Sequence, residues 1–229
     1  MEIGDRMKEY EAIYSMRAMP NCPIMVRIDG KSFHSFTSNL AKPYDANLMF
    51  AMNELTKELI NFSGAVLGYT QSDEITLVLA KKSREHQPFF DGKVQKLSSV
   101  LASFATATFA KYFQNEGKTA LFDCRVFSIP TLSEATNCLL WREMDATRNA
   151  VQMAARSVYS HKECEKKNAP QLQEMLFAKG INFNDYPSRF KRGAFFKWFY
   201  ELQLGTPLTL ISHEERIKFL FSEYMEFND

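Results

Sequence analysis

Two stretches of this chain place carboxylates where an extended apolar run breaks into a turn. In "MVRIDGKSFHSF" (25–36), Asp29 ends an alternating apolar segment and is followed by Gly30, Lys31, Ser32, Phe33 and His34. In "GYTQSDEITLVL" (68–79), Asp73 and Glu74 open another such segment. Carboxylates that meet in partial burial repel each other and are expensive to leave unpaired, and a divalent cation removes that cost. A few hard oxygen ligands suit Mg²⁺, which retains several waters and completes its shell with substrate phosphates. Two such ions about 3.5–4 Å apart form the two-metal arrangement for phosphoryl transfer. The neighbouring residues suit the same chemistry. Gly30 lets the backbone approach a ligand closely, and the N–H groups of 30–34 can cradle a triphosphate. Phe33 or His34 can stack on a base, while Ser72 and Lys96 can add a hydroxyl and a point charge to the phosphates.

These residues meet only if the elements that carry them are suitably ordered. A short helix over 5–16 precedes a proline-bounded strand over 24–29. From Asp45, the residues Leu48, Met52, Leu55 and Leu59 recur at helical spacing until Gly64 stops the pattern. "AVLGY" and "EITLVLA" read as strands joined by the polar turn "TQSD". A second helix over 93–114 carries Val94, Leu97, Leu101 and Phe104 on one face, and "ALFDCRVFSIP" is a strand closed by Pro130. The order strand, helix, strand, strand, helix, strand predicts an α+β, ferredoxin-like βαββαβ sheet with both helices on one face and the other face open. Its first and third strands are central antiparallel neighbours, which brings Asp29 toward Asp73 and Glu74. Beyond it, 133–159 reads as a long helix, one or two short strands surround Phe195, and the capping box Ser212–Glu215 opens a last helix. The expected organisation is a catalytic core over 1–131, with its short N-terminal helix, and a mainly helical extension over 132–229 packed on it in one continuous domain.

Composition bounds the class. The chain has 229 residues, 45% hydrophobic and 24% charged, a balance that permits a substantial core and argues against disorder. No stretch approaches the roughly 20 apolar residues of a membrane span, and "MEIGDRMKEYEAIY" is too charged for a secretory leader, so a cytoplasmic location is expected. Cys22, Cys124, Cys138 and Cys164 form no C-x-x-C pair, and His34, His86, His161 and His213 form no H-E-x-x-H, which argues against zinc chemistry. Net charge is +1, yet "SHKECEKKNA" (160–169) and "RFKRG" (189–193) concentrate positive charge. Lys166, Lys167, Lys191 and Arg192 are therefore candidate RNA contacts.

The motifs "VRIDGKSFHSFT" (26–37), "KPYD" (42–45), "GYTQSDEITLVL" (68–79), "FDCRVFSIP" (122–130) and "WREMDATRN" (141–149) stand in the order of a known family. The chain resembles the tRNA-histidine guanylyltransferase family of reverse polymerases, and "QEMLFAKGINFNDYPSRFKRG" (173–193) is similar to its bacterial-type branch. The resemblance implies a polymerase-type palm in which two Mg²⁺ ions sit on Asp29, Asp73 and the carbonyl of Gly30, with Glu74 as a further acidic residue. It implies that Arg27, Lys31, Ser32, Phe33, His34, Lys42, Ser72 and Lys96, with Asn149, bind nucleotide. ATP would activate a 5′-monophosphorylated tRNA, the 3′-hydroxyl of GTP or another nucleoside triphosphate would then attack, and the assembly would be a homotetramer. One departure separates the branches. The guanylyltransferases carry His-Ile-Asn-Asn-Leu-Tyr-Asn-Thr where this chain has Thr147 to Ala154, and only Asn149 matches. The expectation is therefore template-dependent 3′-to-5′ addition to a truncated tRNA, with addition of a single guanylate to tRNA-His as the alternative. More distant rivals are a palm-type nucleotide cyclase, for which the Gly-Gly-Asp/Glu-Glu-Phe signature is missing, and a non-enzymatic RNA-binding module, which needs stacking aromatics on its central strands.

Overall fold

A computed structural model of the chain describes residues 1–81, 87–198 and 200–222; His86 lies outside them. Helix α1 (Ile3–Ala12) buries no residue and ends short of the expected Met16. Strand β1 (Ile24–Gly30) leads through a short turn into α2 (Phe33–Phe36). Helix α3 (Ala46–Ser63) begins where the Asp45 side chain accepts the Leu48 amide, and stops at Gly64, whose φ of 69° is left-handed. Strands β2 (Leu67–Gln71) and β3 (Glu74–Leu79) form a hairpin whose loop is only Ser72-Asp73, so Thr70 and Gln71 belong to the strand and not to the turn. Helix α4 (Val94–Tyr112) and β4 (Phe122–Ser128) complete the βαββαβ unit. The extension contains α5 (Leu132–Arg156), α6 (His161–Cys164), α7 (Ala169–Phe177), α8 (Ser188–Arg192), β5 (Ala194–Lys197), β6 (Tyr200–Leu202) and α9 (His213–Phe221). Three side chains start its longer helices: Thr131 caps α5, and the capping boxes Asn168/Gln171 and Ser212/Glu215 open α7 and α9.

Among the described residues six strands form one antiparallel sheet in the order β4-β1-β3-β2-β5-β6. The first four are in the ferredoxin-like order, and the two strands around Phe195 extend the sheet past β2. The two central strands are in register from Ile24↔Leu79 to Asp29↔Glu74. This places the end of β1 beside the start of β3.

The two faces are both covered, contrary to the expected open face. Val26, Ile28, Ile75 and Leu77 point to α3 and α4, meeting Leu55, Leu59, Leu101 and Phe109 in the larger core. Met25, Leu67, Tyr69, Val78 and Phe195 point the other way, against Ala135, Leu139 and Ala146 of α5 and Leu220 and Phe221 of α9. An antiparallel sheet with apolar residues on both faces must bury both, and the helical extension supplies the second layer. What stays open is the outer face of β4, where Asp123, Arg125 and Phe127 alternate with half-buried residues.

Candidate active site

The carboxylates converge at one end of the two central strands. The Gly30 amide donates to the Asp73 carbonyl at 3.2 Å, tying the end of β1 to the β2–β3 turn. On β1, Asp29 has a carboxylate on either side, Glu74 on β3 and Asp123 on β4. Asp123 was not singled out by the motif analysis. The signal for it lies in pairing β1 with β4, a register that spacing along the chain does not supply. Burial raises the Asp29 carboxyl, and the Asp123 charge raises it further against pulls from Arg125 and Arg27. Asp73 is pushed up to about 6, first by burial and then by the Asp29 charge. Neither Asp29 nor Asp73 has an ion-pair partner among the described residues. Nor do three or more His, Cys, Asp or Glu side chains there form a ready-made metal cage. Two unpaired oxygen donors beside a close-packed glycine fit a cation such as Mg²⁺, which takes one or two protein carboxylates and fills its shell with water and phosphate.

Glu74 has a different environment from Asp73, its neighbour. The Arg142 guanidinium of α5 grips it as a fork, Nε to Oε1 at 2.6 Å and Nη2 to Oε2 at 2.7 Å, and Arg142 also pairs with Asp145 at 3.1 Å. Burial raises the Glu74 carboxyl and Arg142 opposes that rise; the same pairing raises Arg142 against its own burial. The fork engages both Glu74 oxygens and anchors α5 over the sheet next to the Asp73 turn.

Both turns at this end hold a serine in the left-handed region, Ser32 at φ 54° and Ser72 at φ 53°. Non-glycine residues in that region carry strain that the surrounding structure must hold, and such positions cluster at functional sites. Gly30 is required for packing as well as for any ligand: a Cβ there would stand 2.2 Å from the Phe33 ring. Phe33 itself is buried with Phe36, Phe109 and Phe122, at centroid distances of 4.9, 5.9 and 5.2 Å. It is a core residue in this fold, and it also lines the cleft at this end of the sheet. His34 is exposed.

A cleft of about 640 Å³ opens here, lined by Asp29, Gly30, Ser32, His34, Lys42, Ser72 and Asp73. Lys42 donates to the Thr37 carbonyl at 3.3 Å. Residues not among the candidate site residues complete the wall: Tyr44 and Asp45 of the "KPYD" motif before α3, and Met153 and Arg156 at the end of α5. Arg27 lies two residues behind Asp29 on the α5 face, with a buried Nε that has no partner among the described residues. Lys31 and Asn149 are exposed and do not line the cleft; the Lys31 amide donates to Leu121 O at 2.8 Å. Lys96 is elsewhere. The helix after β3 starts at the far end of the sheet, where Arg17 bridges Lys93. Lys96 lies about 15 Å along α4, at about 1.5 Å per residue, from Thr106, whose hydroxyl accepts the amide of Phe122 opposite Gly30. Within this chain Lys96 therefore cannot serve the cleft.

The basic candidates also separate. Lys166 and Lys167 are exposed between α6 and α7. Lys191 donates to the Asn184 carbonyl at 2.5 Å, and Arg192 is half-buried with a buried Nη1 that lacks a partner among the described residues.

Comparison with known proteins fits this geometry. The family model described as Thg1, tRNAHis guanylyltransferase, matches residues 4–130, more than half of the chain and all of the βαββαβ unit. The chain belongs to the tRNA-His guanylyltransferase family. Like other tRNA-His guanylyltransferase family members it is a nucleotidyltransferase. The tRNA(His) guanylyltransferase of Saccharomyces cerevisiae is 32% identical over 199 residues, 77% of this chain and 82% of that protein. A bacterial tRNA(His) guanylyltransferase (Thg1)-like protein solved in complex with ATP superposes with a TM-score of 0.81 at 38% identity, covering 86% of each chain. A complex of such a bacterial protein with GTP gives 0.75 at 36% identity, covering 85% of this chain and 84% of that one. No helix among the described residues is long and apolar enough to cross a membrane.

Proposed function

We propose that the chain adds nucleotides to the 5′ end of a tRNA: ATP caps the 5′ monophosphate with an adenylyl group and releases pyrophosphate, and the 3′-hydroxyl of an incoming nucleotide then attacks the capped 5′ phosphate, losing its proton and expelling AMP. The observation that carries this reading is the Asp29–Asp73 pair, raised in pKa, without cationic partners, and open to a cleft of a size that holds a nucleotide. Asp29 and Asp73, with the carbonyl of Gly30, would hold Mg²⁺. When bound, two such ions would neutralise the phosphates and lower the pKa of the attacking hydroxyl. Lys42, Ser32, Ser72, His34 and Arg156 line this cleft, where Lys42 and the two hydroxyls would meet the phosphates, His34 would stack on a base and Arg156 would add charge. Asp123 and Arg27 set the field at Asp29. ATP and GTP as ligands are supported by the two bacterial complexes, and tRNA by the names of the relatives.

Those names favour the addition of a single guanylate to tRNA-His. Template-dependent repair is the second reading, favoured by α5: of the segment Thr147 to Ala154 that departs from the family motif, Met153 alone lines the cleft, and a thioether offers no strong hydrogen-bonding group to read a base edge. Lys166 and Lys167 are proposed contacts to the tRNA backbone. A homotetramer is proposed for assembly, supported by α1, which exposes Ile3, Met7 and Tyr10 and buries nothing within the chain. The test is incubation with Mg²⁺, ATP and each nucleoside triphosphate on 5′-monophosphorylated tRNAs that lack the first nucleotide and differ only in the opposite base. Lengthening at the 5′ end supports nucleotidyl addition, and a cyclic product or binding alone rejects it. Incorporation that follows the opposite base supports the templated reading; guanylate added whatever the opposite base supports the guanylyltransferase reading.

A further inference from the structure

The motif "RFKRG" forms the wall of a second, separate pocket. This pocket, of about 380 Å³, lies between α8, the β5–β6 hairpin and the loop after it, and is lined by Arg189, Arg192, Glu143, Glu201 and Gly205 among others. Arg189 carries a buried guanidinium whose Nε donates to Asn53 Oδ1 at 2.7 Å and whose Nη1 donates to the Thr70 carbonyl at 3.0 Å. Its Nη2 has no partner, and no carboxylate pairs with it among the described residues. Burial lowers its pKa to about 10, against upward pulls from Tyr69 and Glu201. Arg192 is in the same position at Nη1. The one buried carboxylate nearby, Glu143, is already engaged: its Oε2 accepts the Leu208 amide at 2.8 Å, and Arg216 and Arg192 share its charge.

The backbone of this segment is rigidly held. The Tyr69 hydroxyl donates to the Arg192 carbonyl at 2.7 Å, and Gly193, at φ 78°, packs so close to β2 that a Cβ would stand 2.5 Å from the Thr70 carbonyl. Thr70 is three residues from Asp73, a span of at most about 10 Å. Two guanidiniums, each with a buried nitrogen that has no partner among the described residues, thus border a pocket on the far side of β2 from the proposed nucleotide cleft.

We infer that this pocket binds a phosphate oxyanion, with Arg189 and Arg192 as its cationic ligands. Guanidinium is the side chain best matched to phosphate, and an oxyanion there would accept from the two buried nitrogens, Arg189 Nη2 and Arg192 Nη1, that have no partner among the described residues. The phosphate comes either from free phosphate or pyrophosphate, or from the backbone of an RNA strand whose end reaches Asp29 and Asp73. The inference does not depend on nucleotidyl transfer.

Calorimetric titration of the metal-free full chain tests it, with inorganic phosphate, with pyrophosphate, and with a 5′-monophosphorylated acceptor-stem RNA. Wild type should bind at least one of these, and Arg192→Met should weaken that binding tenfold or more with unchanged circular dichroism. Arg189→Met should do the same where it folds, and Lys111→Met, exposed on α4, should leave free-phosphate binding unchanged. Loss confined to phosphate and pyrophosphate identifies a free anion. Loss of RNA affinity, with the salt slope reduced by about one per lost contact, identifies a backbone phosphate. Equal binding of every ligand by wild type and folded Arg192→Met overturns the inference, as does binding that falls only with Lys111→Met.

Discussion

Asp73 and Glu74 are adjacent in the chain and opposite in circumstance. Glu74 is held by both arms of Arg142 and needs nothing further, whereas Asp73 has no ion-pair partner among the described residues and is pushed up to about 6 by burial and the Asp29 charge. The same end of the sheet therefore contains one carboxylate that fastens the second layer and two, Asp29 and Asp73, without an ion-pair partner among the described residues. A side chain at the start of a strand turns to the face its parity dictates, and here that face holds Arg142; the residue before it lies in the turn and has no ion-pair partner among the described residues. Charge left uncompensated beside a cleft points to function, and charge compensated by a fork points to architecture.

Breaking the Asp29–Asp73 pair should have the largest effect. Asp29→Ala and Asp73→Ala should each lower 5′-nucleotide addition more than a hundredfold at saturating Mg²⁺, because metal charge stabilisation is worth several kcal/mol, while metal-free stability in urea holds or rises. Breaking the fork should do the reverse. Arg142→Ala leaves Glu74 buried without a partner, their side chains being 12% and 16% exposed, and should cost about 3–5 kcal/mol in denaturant unfolding. The double variant Glu74→Leu/Arg142→Met should recover most of it, since an apolar pair of similar volume can replace a buried ion pair. Gly30→Ala forces the Phe33 ring to move and should cost about 1–3 kcal/mol, read by the same unfolding curves.

The smallest effect is in pH. Asp73 binds its proton more tightly folded than unfolded, so the metal-free protein gains stability as pH falls through about 6 and loses it as pH rises. Between pH 7 and pH 5 the gain should be about 1 kcal/mol, and Asp73→Asn should flatten it.

The strand order and the meeting of Asp29 with the 72–74 turn were legible in the sequence, because period-2 runs and Asp45/Gly64 helix boundaries are local signals. The partners were not. Arg142 lies 68 residues from Glu74, and its pairing depends on which face of α5 meets the sheet. The covering of the second face, read as open, was decided by tertiary packing of Ala135, Leu139 and Ala146. Phe33 stands in a motif with polar neighbours, yet an aromatic beside a glycine that leaves room for its ring goes to the core. Lys96 was misplaced because a helix of 19 residues carries its first turn to the opposite end of the sheet from its last.

The most direct measurement is the Mg²⁺-binding isotherm of the full chain in the presence of ATP, for wild type, Asp29→Asn/Asp73→Asn and Glu74→Gln. Wild type should bind Mg²⁺, the double variant should lose that binding, and Glu74→Gln should retain it within a few-fold. Mg²⁺ bound equally well by the double variant, or lost with Glu74→Gln alone, would contradict the assignment of Asp29 and Asp73 as the metal-holding pair.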